Sequence, residues 1–423
     1  MLENWKTYRF FELYETSSGL SKARDQFGFG SPFVTFKDVF YNYFLPTELG
    51  DLANTNEKEQ IRGSIKRGDI LLTRTSETLH ELGMSSVALQ DYPNATFNGF
   101  CKRLRLKEKI QVEVDPLFIG YYLRSPNFRN EVSQHATMTT RASLNNTSIN
   151  SLTVSLPPIT DQIQIGKILK AIDDKRELNL QMNKTLEEMA MALYKHWFVD
   201  FGPFQGGEFV DSELGMIPKG WEVKGILDLA DLLSGGTPKT SISDYWNGNI
   251  NWVSAKDIGN GGSIYINDTE KSVSELGVKN SSTKILPEDT VILVARGSVG
   301  KYGMIAKPMA MNQSCYGLYS KSEFSQGLIY LMFSTLIEQF QQRAYGSVFD
   351  TITTSTFNTT KVISPPKELV ISLNEKIDPL FLKLKMNILQ SETLTTLRDT
   401  LLPKLISGEI RVKDAEKTLA AAL

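Results

Sequence analysis

The chain repeats itself at an interval of roughly 210 residues. Trp5 with Phe11-Glu12-Leu13 is answered by Trp221 with Leu227-Asp228-Leu229, and Ser18-Gly19 by Ser234-Gly235, both at an offset of 216. Phe33-Val34-Thr35-Phe36-Lys37-Asp38-Val39 then lies over Trp252-Val253-Ser254-Ala255-Lys256-Asp257-Ile258. Ile70-Leu71-Leu72-Thr73-Arg74-Thr75-Ser76 lies over Ile292-Leu293-Val294-Ala295-Arg296-Gly297-Ser298, and Asn98 and Cys101 over Asn312 and Cys315. Each half closes on a Pro-Pro pair, Val154-Ser155-Leu156-Pro157-Pro158 over Val362-Ile363-Ser364-Pro365-Pro366. The matches keep their order while the offset drifts only between 208 and 222, which argues against chance. Solenoid units run to about 20–50 residues, so a period this long marks a duplicated domain.

Each half changes character midway. Up to Pro158 and Pro366 it shows short β-branched or aromatic runs, such as Asp69–Thr73 and Thr290–Ala295, broken by Gly, Asn and Ser clusters. That is the pattern of strands and loops. After each Pro-Pro pair the pattern is helical for about 38 residues, at most about 57 Å of helix. Ile165, Ile172, Asn179, Leu186 and Leu193 recur every seven residues, with Ile168, Met182 and Met189 at the second position. In the later segment Leu373, Leu380, Asn387, Leu394 and Leu401 recur, interleaved with Ile377, Leu384 and Leu397. Sustained heptads predict paired helices, or equally a generic core stripe. Gly166 and Pro379 blur the first turns. If the helices pack antiparallel about a pseudo-two-fold axis, Asn179 and Asn387 meet near their midpoints and fix the register; otherwise both face solvent. The fold class expected is α+β, with two strand-rich domains separated by two long helices, antiparallel if that axis holds.

Composition bounds what such a chain does. An apolar fraction of 41% with 22% charged residues is that of an ordinary globular protein of more than one core. No apolar run reaches the roughly 18 residues a membrane span needs, and the opening MLENWKTYRF carries charge where a signal peptide is apolar. With only Cys101 and Cys315, neither a disulfide framework nor a cysteine-based zinc site is available, and a cytoplasmic protein is expected. Net charge is −2, and Lys+Arg against Asp+Glu stand at 18 to 17 over residues 1–150 and 12 to 13 over 215–355. A nucleic-acid surface here must therefore concentrate its cations on one face, or share them with a partner.

Several stretches resemble a known family. The second half opens Ile217-Pro218-Lys219-Gly220-Trp221-Glu222-Val223, then Ser234-Gly235-Gly236-Thr237-Pro238-Lys239, Tyr245-Trp246-Asn247-Gly248 and Trp252-Val253-Ser254-Ala255-Lys256-Asp257-Ile258. The helical segments open from Leu156-Pro157-Pro158 with Asp161-Gln162, and the chain runs to Leu401-Leu402-Pro403-Lys404-Leu405-Ile406-Ser407-Gly408-Glu409-Ile410. Together these resemble the specificity subunits of type I restriction-modification enzymes over nearly the whole chain, most closely in the second half. The first half departs, with Ser18-Gly19-Leu20-Ser21-Lys22 in place of a Gly-Gly-Thr-Pro stretch and no Ile-Pro-x-Gly-Trp opening. The resemblance implies target recognition domains at 1–158 and 214–366, spacer helices at 159–203 and 367–408, a linker at 204–213 and a tail at 409–423. It also implies double-stranded DNA as ligand, read as a split asymmetric site, and two methyltransferase subunits docked on the helices. Restriction subunits would join through that complex, and methylation and ATP-driven cleavage would belong to the partners.

Reaction machinery is not evident in the sequence. No Asn-Pro-Pro or Asp-Pro-Pro element follows a strand, and Phe27-Gly28-Phe29-Gly30 has no helix after it to make a cofactor loop. Gly297-Ser298-Val299-Gly300-Lys301 is too short for a phosphate-binding P-loop. His80, His135 and His196 lack metal-ligand spacing, and His196 reads as a structural residue. No catalytic residue, cofactor or metal is expected. DNA contacts are expected from Lys, Arg, Ser, Thr and Asn in loops. In the first half these are Lys22, Arg24, Lys37, Arg74, Thr75, Ser76 and Arg141 in the Thr137–Ser143 loop. In the second they are Lys239, Thr240, Lys256, Arg296, Ser298, Lys301, Thr351, Thr353 and Thr354. Lys102, Arg103 and Arg105 alternate with Leu104 and Leu106 and suit the wet face of a strand equally well. Two other readings stay open: a fragment of a fused restriction-methyltransferase, and a coiled-coil scaffold with no DNA partner.

Overall fold

A computed structural model describes residues 4–138, 141–259, 263–345 and 351–422. The chain divides into two compact units, Met1–Lys175 with Thr393–Leu423, and Arg176–Glu392. The boundary falls inside both long helices, Ile159–Phe198 and Lys367–Ile406, so each unit holds a strand-rich module and a stretch of each helix.

In the first unit Lys6–Arg9 pairs antiparallel with Thr153–Leu156, tying the module's ends together. Its main sheet runs Tyr14–Ser18, Cys101–Leu106, Ile70–Thr73, Ser85–Val87, antiparallel throughout. A smaller sheet sets Phe27–Val34 between Asp51–Ala53 and Thr96–Phe97, the latter pair parallel. Strand Ile70–Thr73 is buried on both faces, which explains its unbroken apolar run. Leu71 and Cys101 pack with Val34 and Phe97 on one side; Ile70, Leu72 and Leu104 pack with Phe118, Phe128 and the long helices on the other.

The second unit repeats this plan with more strands. Its five-stranded sheet runs Ala230–Ser234, Cys315–Ser320, Val291–Val294, Tyr302–Ile305, Tyr265–Ile266. The second sheet runs Ser272–Val273, Trp246–Val253, Met309–Met311, Ile285–Leu286, and Glu222–Gly225 closes on Lys361–Ser364. The duplicated residues hold duplicated geometry. A Cβ on Gly19 would stand 2.2 Å from the Asn98 carbonyl oxygen, and one on Gly235 2.0 Å from that of Asn312, so only glycine lets these segments touch. Asn98 and Asn312 each accept from the backbone N–H two residues on, at 2.8 and 3.0 Å.

The helices run antiparallel in each unit. In the first, Arg398 meets Asp173 at 2.9 Å, and Ile165 shares a cleft with Leu405 further along. In the second, Asn179 Nδ2 donates to the Asn387 carbonyl (3.3 Å), Gln390 Oε1 (3.0 Å) and Ser391 Oγ (3.2 Å). Asn387 Nδ2 donates to Asn183 Oδ1 at 2.9 Å, and Asn183 Nδ2 to the Leu384 carbonyl. Both asparagines are fully buried. Leu394 and Leu401 are buried in the first unit's core, whereas Leu186 and Leu193 are partly buried against the second's. Both helices continue unbroken through Gly166 and Pro379. Gly166 is required: a Cβ there would lie 2.7 Å from that of Leu117. Met189, at a heptad position, is instead 49% exposed, because Ala190 and Tyr194 turn that stretch toward its own module's core. The residues after Ile410, with no heptad to announce them, form a helix, Val412–Ala422, that buries Ala415 in the first unit.

Candidate nucleic-acid interface

In the first unit, Lys37, Thr75, Ser76 and Arg141 line one open cleft of about 440 Å³. Local chemistry sets each of them there. Thr35 caps helix Phe36–Tyr41, its backbone N–H and hydroxyl both donating to Asp38 Oδ2 at 2.8 and 2.7 Å, which holds exposed Lys37 in the first turn. Thr75–Ser76 pairs with Ala142–Ser143, and the Leu144 N–H donates to the Arg74 carbonyl at 2.9 Å. The hairpin from the far end of the module is thereby stitched to the strand that bears Arg74.

Two aromatic side chains flank this cleft that sequence reasoning did not single out, Tyr41 at 72% exposure and Phe100 at 55%. Such faces suit base stacking or a thymine methyl group. Phe100 has one signal in the sequence, an aromatic side chain directly after Asn98 and Gly99; Tyr41, ending the helix Phe36–Tyr41 among Phe40, Tyr43 and Phe44, has none. Glu77 also lines the cleft, 3.7 Å from Arg141, and Glu81 accepts from Thr78 Oγ1 at 2.8 Å. The cleft thus offers donors, acceptors and aromatic faces together, the set needed to discriminate base edges. Arg124 holds the helix in place. Its guanidinium donates to the carbonyls of Val39, Phe40 and Asn42 at 2.8–2.9 Å and to that of Ser85 at 2.7 Å. Burial pushes its pKa down to about 10.

Other expected residues lie elsewhere. Lys22 is paired with Glu59 at 2.8 Å, and neither it nor exposed Arg24 lines the cleft. Arg103 and Arg105 share a strand face but are engaged internally. Arg105 holds Asp69 at 2.6 and 2.7 Å, which raises its pKa, and Arg103 donates to the Ser64 carbonyl. Lys102 points the other way and is buried, its ammonium donating to Ser18 Oγ at 2.7 Å.

The second unit builds a related surface. Ser254 engages Asp257 through N–H and hydroxyl at 2.8 and 2.7 Å, as Thr35 engages Asp38, and this puts Lys256 where Lys37 stands. Lys256 meets Glu270 at 3.2 Å, both exposed, and Lys301 Nζ reaches the Ala255 carbonyl at 3.5 Å. Exposed Arg296 and Ser298 occupy a loop turned by Gly297 and Gly300, whose φ values of 83° and 92° favour glycine. The Ile352 N–H donates to the Ala295 carbonyl at 3.1 Å, which sets Thr351 and the exposed Thr353 and Thr354 beside that loop. Lys239 and Thr240 are exposed; the Lys239 carbonyl accepts from Trp246 Nε1 at 3.3 Å.

Among the described residues no cluster of side chains is arranged to hold a metal ion, and no helix is long and apolar enough to cross a membrane. Cys101 and Cys315 are unbonded and buried, and His196 packs over Gly202.

A strand-rich module built twice, each copy bearing a polar loop surface and sharing two long antiparallel helices, defines an architecture of specificity subunits. The chain belongs to the type I restriction-modification DNA specificity family, whose domain model matches residues 3–188 and 218–391. It is 25% identical over 476 residues to the type I restriction enzyme HindI specificity subunit of Haemophilus influenzae, covering 97% of this chain and 100% of that one. Against the type I restriction enzyme MjaIX specificity subunit of Methanocaldococcus jannaschii the identity is 26%, over 97% and 95% of the two chains. The crystal structure of the type I restriction-modification system S subunit from M. genitalium shares the fold, with a TM-score of 0.60 at 15% identity over 95% of this chain and 96% of that one.

Proposed function

We propose that this chain is the DNA-reading, non-catalytic subunit of a cytoplasmic type I restriction-modification complex. Each module reads one half of a bipartite, asymmetric target, and the chain itself carries no cofactor. The observation that carries the reading is the repeated capped turn that presents Lys37 and Lys256. Arg74 directly follows a buried strand, whereas Ala295 holds the matching place in the second module and Arg296 stands one residue further into the loop. The differing neighbours, Tyr41 and Phe100 in one module and Lys301 with the threonine run in the other, support different half-sequences. Each helix of 40 residues rises about 60 Å, ample for half-sites one turn apart, roughly 34–36 Å. Docking of two methyltransferase subunits, and of restriction subunits through them, is supported by an apolar stripe left open on the second helix, Ile371, Leu382, Met386 and Leu389, all 41–61% exposed.

The test is a methylation map of a genome expressing this chain with its methyltransferase partner. One split sequence should be modified throughout, and the chain alone should neither methylate nor cut. Methylation scattered without a sequence rule would sink the assignment.

A further inference from the structure

We propose that Lys102 and Arg74 form a built anchor for one phosphodiester oxyanion of the DNA, present in the first module and missing from the second. The proposal rests on the DNA-reading assignment above. Lys102 is 7% exposed, yet among the described residues no carboxylate pairs with it, and Ser18 Oγ is its hydrogen-bond acceptor. An ammonium buried without a counter-charge is costly, and fold stability alone does not favour keeping it. Its charged neighbour makes this worse. Leu72 is the strand partner of Lys102, and Arg74 follows two residues later where the strand ends, on the same face. Arg74 makes no ion pair among the described residues. Burial first, and then the Arg74 guanidinium, lower the Lys102 pKa. Two cations without an anion, at the strand end that leads into Thr75 and Ser76 of the cleft, are complementary to a phosphate oxygen. At the equivalent position the second module has Tyr316, packed edge-on against Phe357 with centroids 5.4 Å apart.

A phosphate anchor and a structural lysine respond differently to Lys102→Met, which keeps the stem and removes the charge. The full chain is titrated with a duplex carrying its mapped target over a range of salt concentrations. The plot of log affinity against log salt should flatten by about 0.9 for one lost phosphate contact. The methylated sequence should stay the same, and the DNA-free variant should melt at a higher temperature. Lys102→Arg, which keeps the charge, should retain the slope, and Arg74→Gln should flatten it as well. An unchanged slope in Lys102→Met, beside a salt-dependent parent, overturns the anchor and leaves the DNA reading intact; a flat parent titration overturns the DNA reading instead. A changed methylation pattern would make Lys102 a base contact and also overturn the proposal. If Lys102→Met does not fold, Arg74→Gln decides alone by the same slope.

Discussion

Charged side chains in this protein divide by whether the fold itself neutralises them. Lys22, expected at the DNA, and Arg105, which suits the wet face of a strand equally well, are engaged by Glu59 and Asp69. In the first unit Asp173 accepts from Arg398 at 2.9 Å and from the Tyr121 hydroxyl at 2.8 Å, while Arg398 lies 5.5 Å from the centre of the Tyr43 ring. The Arg398 and Asp173 side chains are only 13% and 21% exposed, so this pair is shielded from solvent. Arg398→Met removes the cation from this shielded aspartate, leaving the Tyr121 hydroxyl on it, and should destabilise the first unit by about 2–3 kcal/mol, read as a lower urea midpoint for its unfolding. No shift in that midpoint would mean water already screens the pair. Pairings of this kind join residues far apart in the chain, so residue type alone could not separate engaged cations from available ones. The exposed aromatic residues Tyr41 and Phe100 escaped notice for the opposite reason: aromatic residues in a strand-rich domain are ordinarily core.

Helices were the most legible elements, because the heptads and the Pro-Pro pairs carry a periodic signal that tertiary contacts do not erase. Where the pattern misleads, as at Met189, a helix serving both a partner helix and its own module turns away from the strict seven-residue repeat. The helix Val412–Ala422 has no such period and shows itself only through packing. Asn179 and Asn387 each bury an Oδ1 atom that finds no hydrogen-bond partner among the described residues. Their donors bind backbone and neighbouring polar groups, so they favour one alignment of the helices while lowering stability. Asn179→Leu should raise the urea stability of the second unit by about 1 kcal/mol, and cysteines placed at Asn183 and Leu384 should then cross-link less selectively than in the parent. A less stable Asn179→Leu variant would show that the bonds donated by the two amide protons outweigh the stranded oxygen.

If each module reads one half-site as proposed, the molecule is modular in what it reads, though not in how it folds, since Thr393–Leu423 belongs to the first unit. Replacing residues 1–158 with the corresponding domain of another family member should alter one half of the methylated target and leave the other half unchanged. Sequencing the modified sites of a host carrying the chimera checks this, and a change in both halves would defeat the two-module reading.

The first unit is completed by Thr393–Leu423, whose Leu394, Leu401, Leu402, Leu405 and Ala415 fill its core. A ribosome making this chain must therefore hold the amino-terminal module unfinished until Ala415 has been made. Until then Ile165, Leu169 and Ile172 face water, a period in which chaperones, aggregation or a second nascent copy compete for the same greasy seam. Premature termination anywhere in the second half would strip the first module of its closing layer as well as truncating the second.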